Sequence, residues 1–194
     1  MEIHSGRLTS GKEIPWWIYR FRTYLAIPPL LFALLSQYNE VEAGWVIWPV
    51  GIGLFLIGMA IRIWAQQHLH HRLKVHKHLT LTGPYQFVRN PLYIGNIIIC
   101  VALTMLSELL WFIPVTLVWC LGTYSLVIRY EEARIVARYG EEARRYLSEV
   151  PRWIPKRVRF KNIKLVNEFL GRAFLIELPC WLLLFPYILK EIIS

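Results

Sequence analysis

The residues able to do chemistry in this 194-residue chain gather in two segments. The first carries Lys77-His78-Leu79-Thr80 and then Thr82-Gly83-Pro84-Tyr85-Gln86-Phe87-Val88-Arg89-Asn90-Pro91-Leu92-Tyr93-Ile94-Gly95. Gly83-Pro84 forces a turn, and Asn90-Pro91 makes a second break. Asparagine is a good helix N-cap and proline suits the first helical turn, so Asn90 and Pro91 read as a capped helix start. That reading leaves Tyr85, Arg89 and Tyr93 unexplained around the same point. A helix N-terminus favours anions, so a ligand carboxylate would dock there.

The second segment opens with Arg129-Tyr130-Glu131-Glu132 and runs as a charged helix through Arg144-Arg145-Tyr146, punctuated by Gly140 and Pro151. Adjacent helical residues point about 100° apart, so Glu131 and Glu132 cannot share one task. The bland reading is ion pairing at helical spacing, Glu131 with Arg134 and Glu141 with Arg144 or Arg145. For Glu131 a functional role competes with it, because polar residues kept at a membrane boundary are often functional.

The five histidines at 68, 70, 71, 76 and 78 raise a metal site, since His68 and His71 can share a helix face. Spacing alone is weak without a third ligand and supporting partners. Histidines at a wet membrane interface are the expectation, with no metal. Cys100, Cys120 and Cys180 fall in apolar blocks at unrelated spacings and read as small apolar-site residues, not a disulfide framework or zinc site.

The elements that must position these residues are membrane helices. The chain is 56% hydrophobic, against about 45–50% for a soluble domain. The excess sits in uncharged blocks near the roughly 20 residues a spanning helix needs. Spans are expected over 45–61, 92–107, 109–128 and 173–189, the last interrupted only by Glu177. A weaker span over 21–37 holds Arg22 and Pro28-Pro29, and is expected to be kinked. With the N-terminus inside, segments 1–23, 62–91 and 129–172 hold 21 of the 22 lysines and arginines, leaving only Lys190 outside. The short connection at 107–111 predicts an antiparallel hairpin. The first dozen residues are polar, so no cleavable signal peptide is expected.

The fold class is therefore all-α: a polytopic protein of the cell membrane with five spans, one domain over 1–194, the N-terminus cytoplasmic and a pocket on the cytoplasmic side. The net charge of +9 follows from orientation and gives no reason to expect nucleic acid.

The ordered set Gly83-x-Tyr85-x-x-x-Arg89-Asn90-Pro91-x-Tyr93-x-Gly95, then Glu131-Glu132 and Tyr139-Gly140-Glu141-Glu142 through Tyr146 to Val150-Pro151-Arg152, resembles the isoprenylcysteine carboxyl methyltransferases. It is also similar to the wider group of integral membrane methyltransferases that includes phospholipid N-methyltransferases. The resemblance covers about residues 77–155. One departure stands out: the family's Arg-His-Pro is Arg89-Asn90-Pro91 here, and asparagine is no titrating base.

The resemblance implies S-adenosylmethionine as cofactor, in a cytoplasmic-side pocket enclosed by the two halves of the motif. By position, Lys77, His78, Leu79 and Thr80 would line the adenosine region with Tyr85 beside them. Asn90, Pro91, Leu92 and Tyr93 would contact the cofactor near the helix start, and Glu131 would hold one of its polar groups. A sulfonium and an ammonium suit a carboxylate and aromatic faces. The implied acceptor is a prenylated cysteine or a similar lipophilic molecule or peptide from the bilayer. Its carboxylate is already ionised and needs no base. Arg129, at the membrane boundary, would hold that carboxylate, or serve only as an inside-facing anchor. Three other readings stand beside it. Phospholipid N-methylation uses the same motif. An NADPH-dependent sterol-type reductase shares a similar helix start but would want more basic residues aimed at a phosphate and additional spans, and the Glu131-Glu132 pair favours the methyltransferase. A small transporter or scaffold would want polar residues at mid-membrane, where this chain offers Glu177 and few others.

Overall fold

A bilayer core offers no water to backbone N–H and C=O groups, so an apolar block that crosses it must bond within itself. The computed structural model describes residues 16–38, 40–41, 44–75, 79–155 and 169–193, with 70–75 as backbone only, and finds helices and no strand among them. They are α1 (Trp16–Arg20), α2 (Ile27–Leu35), α3 (Gly44–Val75), α4 (Pro91–Leu106), α5 (Ile113–Glu149), α6 (Leu170–Leu182) and α7 (Leu184–Ile193). The protein is an all-α membrane protein. Helical paths over Gly44–Leu69, Leu110–Glu149 and Leu170–Ile193 are long and apolar enough to cross a bilayer, and Pro91–Leu106 is a shorter apolar helix.

The stretch 21–37 differs from its expected kinked span. It is helical only over Ile27–Leu35, nine residues or about 13 Å. Pro28 and Pro29 sit in the first turn, where a missing N–H breaks no helical bond, so they start the helix instead of bending it. Pro179 falls inside α6, and the path breaks at Leu183 before α7.

Association of helices in lipid rests on close packing and interhelical hydrogen bonds. At the α3–α4 crossing a Cβ on Gly58 would lie 3.0 Å from the Gly95 carbonyl, and a Cβ on Gly95 would lie 3.0 Å from that of Gly58. No larger residue allows that approach. The expected α4–α5 hairpin is present: Thr104 Oγ1 meets Thr116 Oγ1 at 3.1 Å, and Asn96 Nδ2 donates to Tyr124 Oη at 3.2 Å, a pairing that runs antiparallel. Phe55, Met59, Leu103, Leu106 and Tyr124 fill the shared core. Trp45, Val50, Leu56, Val118 and Leu182 point outward as a lipid-facing surface.

Away from the charged segments, Lys190 donates to Ser36 O at 2.9 Å, Glu40 Oε1 at 2.6 Å and Ser107 O at 3.3 Å. Among the described residues, that end is thereby tied by the single base it holds.

Candidate functional site

The motif's two halves meet because a clasp holds them. Gly83 has φ of 62°, and the His68 ring packs where a Cβ would stand, so only glycine fits the turn. His68 Nδ1 also meets Thr82 Oγ1 at 3.2 Å. His68 is thus buried between α3 and the loop, not at the wet interface expected of it. The side chains of His70 and His71, and all of His76 and His78, lie outside the described residues. Among the described residues no group of three or more His, Cys, Asp or Glu is placed to hold a metal ion.

From the other side, Tyr146 Oη donates to Tyr85 O at 2.9 Å, and the Arg89 backbone N–H donates to Pro151 O at 2.9 Å. The Arg89 guanidinium donates to Val150 O and, at 2.6 Å, to Glu132 Oε1. Arg152 grips both oxygens of Glu132, with Nε at 3.0 Å from Oε1. The Glu132 hydrogen bond holds the Arg152 guanidinium above its ordinary range. Burial pushes the Tyr85 hydroxyl well above the usual tyrosine range, so it stays neutral. The more exposed pairs Arg144–Glu141 (3.4 Å) and Arg145–Glu149 (2.9 Å) lie at helical spacing on α5. Gly140, at φ of 55°, interrupts the helix just before them.

Asn90 stands at the N-cap position of α4, yet its side chain makes no capping bond. Its Nδ2 is buried without a hydrogen-bond partner among the described residues, and the residue lines a cavity. One turn on, Tyr93 Oη donates to Glu131 Oε1 at 2.8 Å. The ion-pair partner of Glu131 is Arg22 Nε at 3.9 Å, not Arg134 as helical spacing suggests.

The cavity has a volume of about 1040 Å³, at the top of the usual range for a ligand site and enough for more than one ligand. Of the residues singled out from sequence, Leu79, Thr80, Tyr85, Asn90, Leu92, Tyr93 and Glu131 line it. Pro91 is buried in the first turn of α4 and does not. Lys77 and His78 fall outside the described residues. Arg129 is exposed and stands away from the cavity. The reason is helical geometry: two residues along a helix is about 200°, so the face that presents Glu131 turns Arg129 outward.

A second polar cluster lies one turn deeper, and sequence reading did not find it. Arg62 Nε donates to Glu177 Oε2 at 2.6 Å and its Nη1 to Asn96 Oδ1, while Asn96 reaches Tyr124, whose ring stacks on Tyr93 at 4.9 Å. Glu177 stood out only as an interruption of an apolar block, and Arg62 only as the first charge past one. Their opposite charge at similar depth was the available signal.

A helical membrane protein with a polar cavity at the charged end of its bundle is the class that fold and site define. Residues 46–142, half of the chain, match the family described as phospholipid methyltransferase. The chain belongs to that family. It is also similar to the nickel-cobalt-cadmium resistance protein NccN of Alcaligenes xylosoxydans xylosoxydans, at 23% identity over 144 residues. That match takes in 71% of this chain and 65% of the relative, so it spans less than two thirds of the relative's length. No solved structure matches. The wider of the two sequence resemblances is thus the one the family carries.

Proposed function

We propose that the protein transfers a methyl group from S-adenosylmethionine to the carboxylate of a lipophilic acceptor such as a prenylated cysteine. The observation that carries this reading is the convergence of Asn90, Tyr93 and Glu131 on one cavity that also reaches the lipid-facing surface. Ile27 of α2 and Leu183 beyond α6 both line the cavity and are exposed. A tail enters there while a polar cofactor enters from the charged end. The charge distribution supports a cytoplasmic placement for that end, and the cell membrane is the membrane proposed.

The residues fit the cofactor. The orphaned Asn90 amide seeks an acceptor, the Glu131 carboxylate suits an ammonium, and the neutral Tyr85 and Tyr93 offer aromatic faces. When bound, S-adenosylmethionine supplies an electrophilic methyl group. The chain's own part is to orient and to exclude water. Tyr93 fixes the Glu131 carboxylate, and Leu79, Leu92 and Ile135 wall the space. An ionised carboxylate acceptor needs no base, which is why asparagine serves at position 90. Alignment for in-line attack is then the main task.

The test is methyl transfer by the purified full chain from radiolabelled cofactor to N-acetyl-S-farnesylcysteine and, in parallel, to phosphatidylethanolamine. The expected result is base-labile label on the farnesyl compound. Label on phosphatidylethanolamine alone replaces this reading with phospholipid N-methylation. In calorimetry, Glu131→Gln is expected to weaken S-adenosylhomocysteine binding about tenfold, the size of one lost charge-assisted hydrogen bond, with its melting temperature retained. Unchanged affinity removes Glu131 from the site.

A further inference from the structure

We infer that Arg62 selects the acceptor, holding a carboxylate or phosphate at the membrane-ward end of the cavity; the inference rests on the methyltransferase reading above. The guanidinium is pinned between two helices, by Glu177 of α6 through Nε and by Asn96 of α4 through Nη1. Its Nη2 makes no hydrogen bond to the described residues, and Arg62 lines the cavity beside Asn96, Ile99 and Cys180. An ion pair that served packing alone would saturate both partners against protein. This one is oriented by two groups and leaves the Nη2 amino group over, with Glu177 Oε1 also buried and unbonded among the described residues.

Position adds to this. Asn96 lies one helical turn below Tyr93, so Arg62 acts one turn deeper than the Tyr93–Glu131 contact. Around it the wall turns apolar, with Ala26, Leu30, Ile99, Pro179 and Leu183. A ligand group held by Arg62 therefore has a polar compartment above it and a hydrocarbon one below, which describes the head of an amphiphile.

Charge points the same way. Among the described residues, the cavity is lined by Arg22, Arg62, Arg89, Arg134 and Arg138 against the single carboxylate of Glu131. Glu132 and Glu177 neutralise Arg89 and Arg62 from behind, yet the lining keeps an excess of positive charge. A cationic cofactor does not relieve it, whereas an anionic acceptor does. The room for the guanidinium is itself built in: a Cβ on Gly95 would collide with the Arg62 side chain.

The experiment uses the full chain in phosphatidylcholine nanodiscs and reads binding by tryptophan fluorescence. The probes are N-acetyl-S-farnesylcysteine, its methyl ester and farnesyl phosphate. The wild type is expected to prefer at least one anion over the uncharged ester by about tenfold, and Arg62→Gln to reduce that to about twofold, as loss of a charge-assisted hydrogen bond requires. Arg62→Lys is expected to recover part of it. Because Arg62→Gln alone strands Glu177, the double variant Arg62→Gln/Glu177→Gln keeps the pair neutral and is measured alongside. Which anion loses more distinguishes a carboxylate head from a phosphate one. Preference for the anions persisting in the double variant, with S-adenosylhomocysteine still bound, overturns this inference and leaves the methyltransferase reading standing. Failure of the wild type to bind S-adenosylhomocysteine overturns the reading beneath it.

Discussion

The bundle holds two arginine–glutamate clusters, and their surroundings differ. At the charged end, Glu132 accepts from both Arg89 and Arg152, which join the loop before α4, the α5 helix and the chain after it. Within the bundle, Glu177 takes a single guanidinium from Arg62, and that guanidinium still has a nitrogen to spare. In the first cluster both oxygens of Glu132 are bonded, and the cluster holds the motif together. In the second, Glu177 Oε1 is buried without a partner among the described residues, and Arg62 lines the cavity. A carboxylate bonded on both oxygens reads as architecture, whereas the Arg62 pair, one turn deeper in the cavity wall, is the one we infer to serve recognition.

The largest expected effect comes from breaking the first cluster. Glu132→Ala strands two arginines, and breaking a buried pair by removing one partner costs about 3–5 kcal/mol. Arg152 is more than a third exposed and recovers part of its solvation, so about 3 kcal/mol is expected, concentrated on Arg89. The measurement is thermal unfolding in detergent. A melting temperature equal to wild type would show that the clasp is not what joins the two halves. Its neighbour Glu131, set about 100° around the helix, should show the reverse pattern, stability kept and cofactor affinity lost.

Next is the glycine that makes room for the second cluster. Gly95→Ala places a methyl group against the Arg62 stem and 3.0 Å from the Gly58 carbonyl. The stem can move, but the backbone of α3 cannot without shifting the helix. Overpacking of this kind costs about 1–3 kcal/mol. It also pushes Arg62 off Glu177, so the anion preference should fall together with stability. Gly53→Ala is the matched control, since a Cβ there meets nothing within 4 Å. Equal melting temperatures for the two variants would mean the α3–α4 approach is looser than described.

How much of this was legible in the sequence depends on range. The loop chemistry was readable because it is local: Gly83-Pro84 and Asn90-Pro91 mark the turn and the start of α4 from their own backbone preferences. The apolar blocks gave the helices for the same reason, apart from 21–37, where proline in a first turn and proline in a helix interior look alike without knowing where the helix begins. The clasp was not readable. Glu132 lies 43 residues from Arg89 and 20 from Arg152, and α5 offers several other bases at helical spacing. Arg62 and Glu177 are 115 residues apart, and only the packing of α3 on α6 selects that pair. Asn90 was read as a cap because asparagine usually is one; its burial against the cavity follows from the fold around it.

A smaller effect tests the first region at a single bond. Tyr146→Phe removes the hydroxyl that donates to Tyr85 O and leaves the ring in place. One buried neutral hydrogen bond contributes about 1 kcal/mol, so a modest fall in melting temperature is expected, with anion preference untouched. A change in acceptor selectivity instead would mean that the two clusters are coupled through Tyr85, which lines the cavity itself.

The smallest expected effect belongs to Arg129, and it separates an arginine chosen by position from one chosen by geometry. Both Arg129 and Arg62 stand where an apolar block meets a charged segment, and either would serve on paper to hold an acceptor carboxylate. Helix phase divides them. Arg129 is exposed because Glu131, two residues on, takes the cavity side of α5, whereas Arg62 lies on the face of α3 that packs against Gly95. Arg129→Ala should therefore change stability by no more than about 0.5 kcal/mol, as for other exposed positions, and leave methyl transfer to N-acetyl-S-farnesylcysteine near wild type. Its charge suits a membrane-boundary anchor, so a slight loss of membrane insertion in cells is compatible with intact chemistry in purified protein. Loss of transfer in Arg129→Ala while Arg62→Gln retained it would invert the assignment and return acceptor recognition to the outer face of α5.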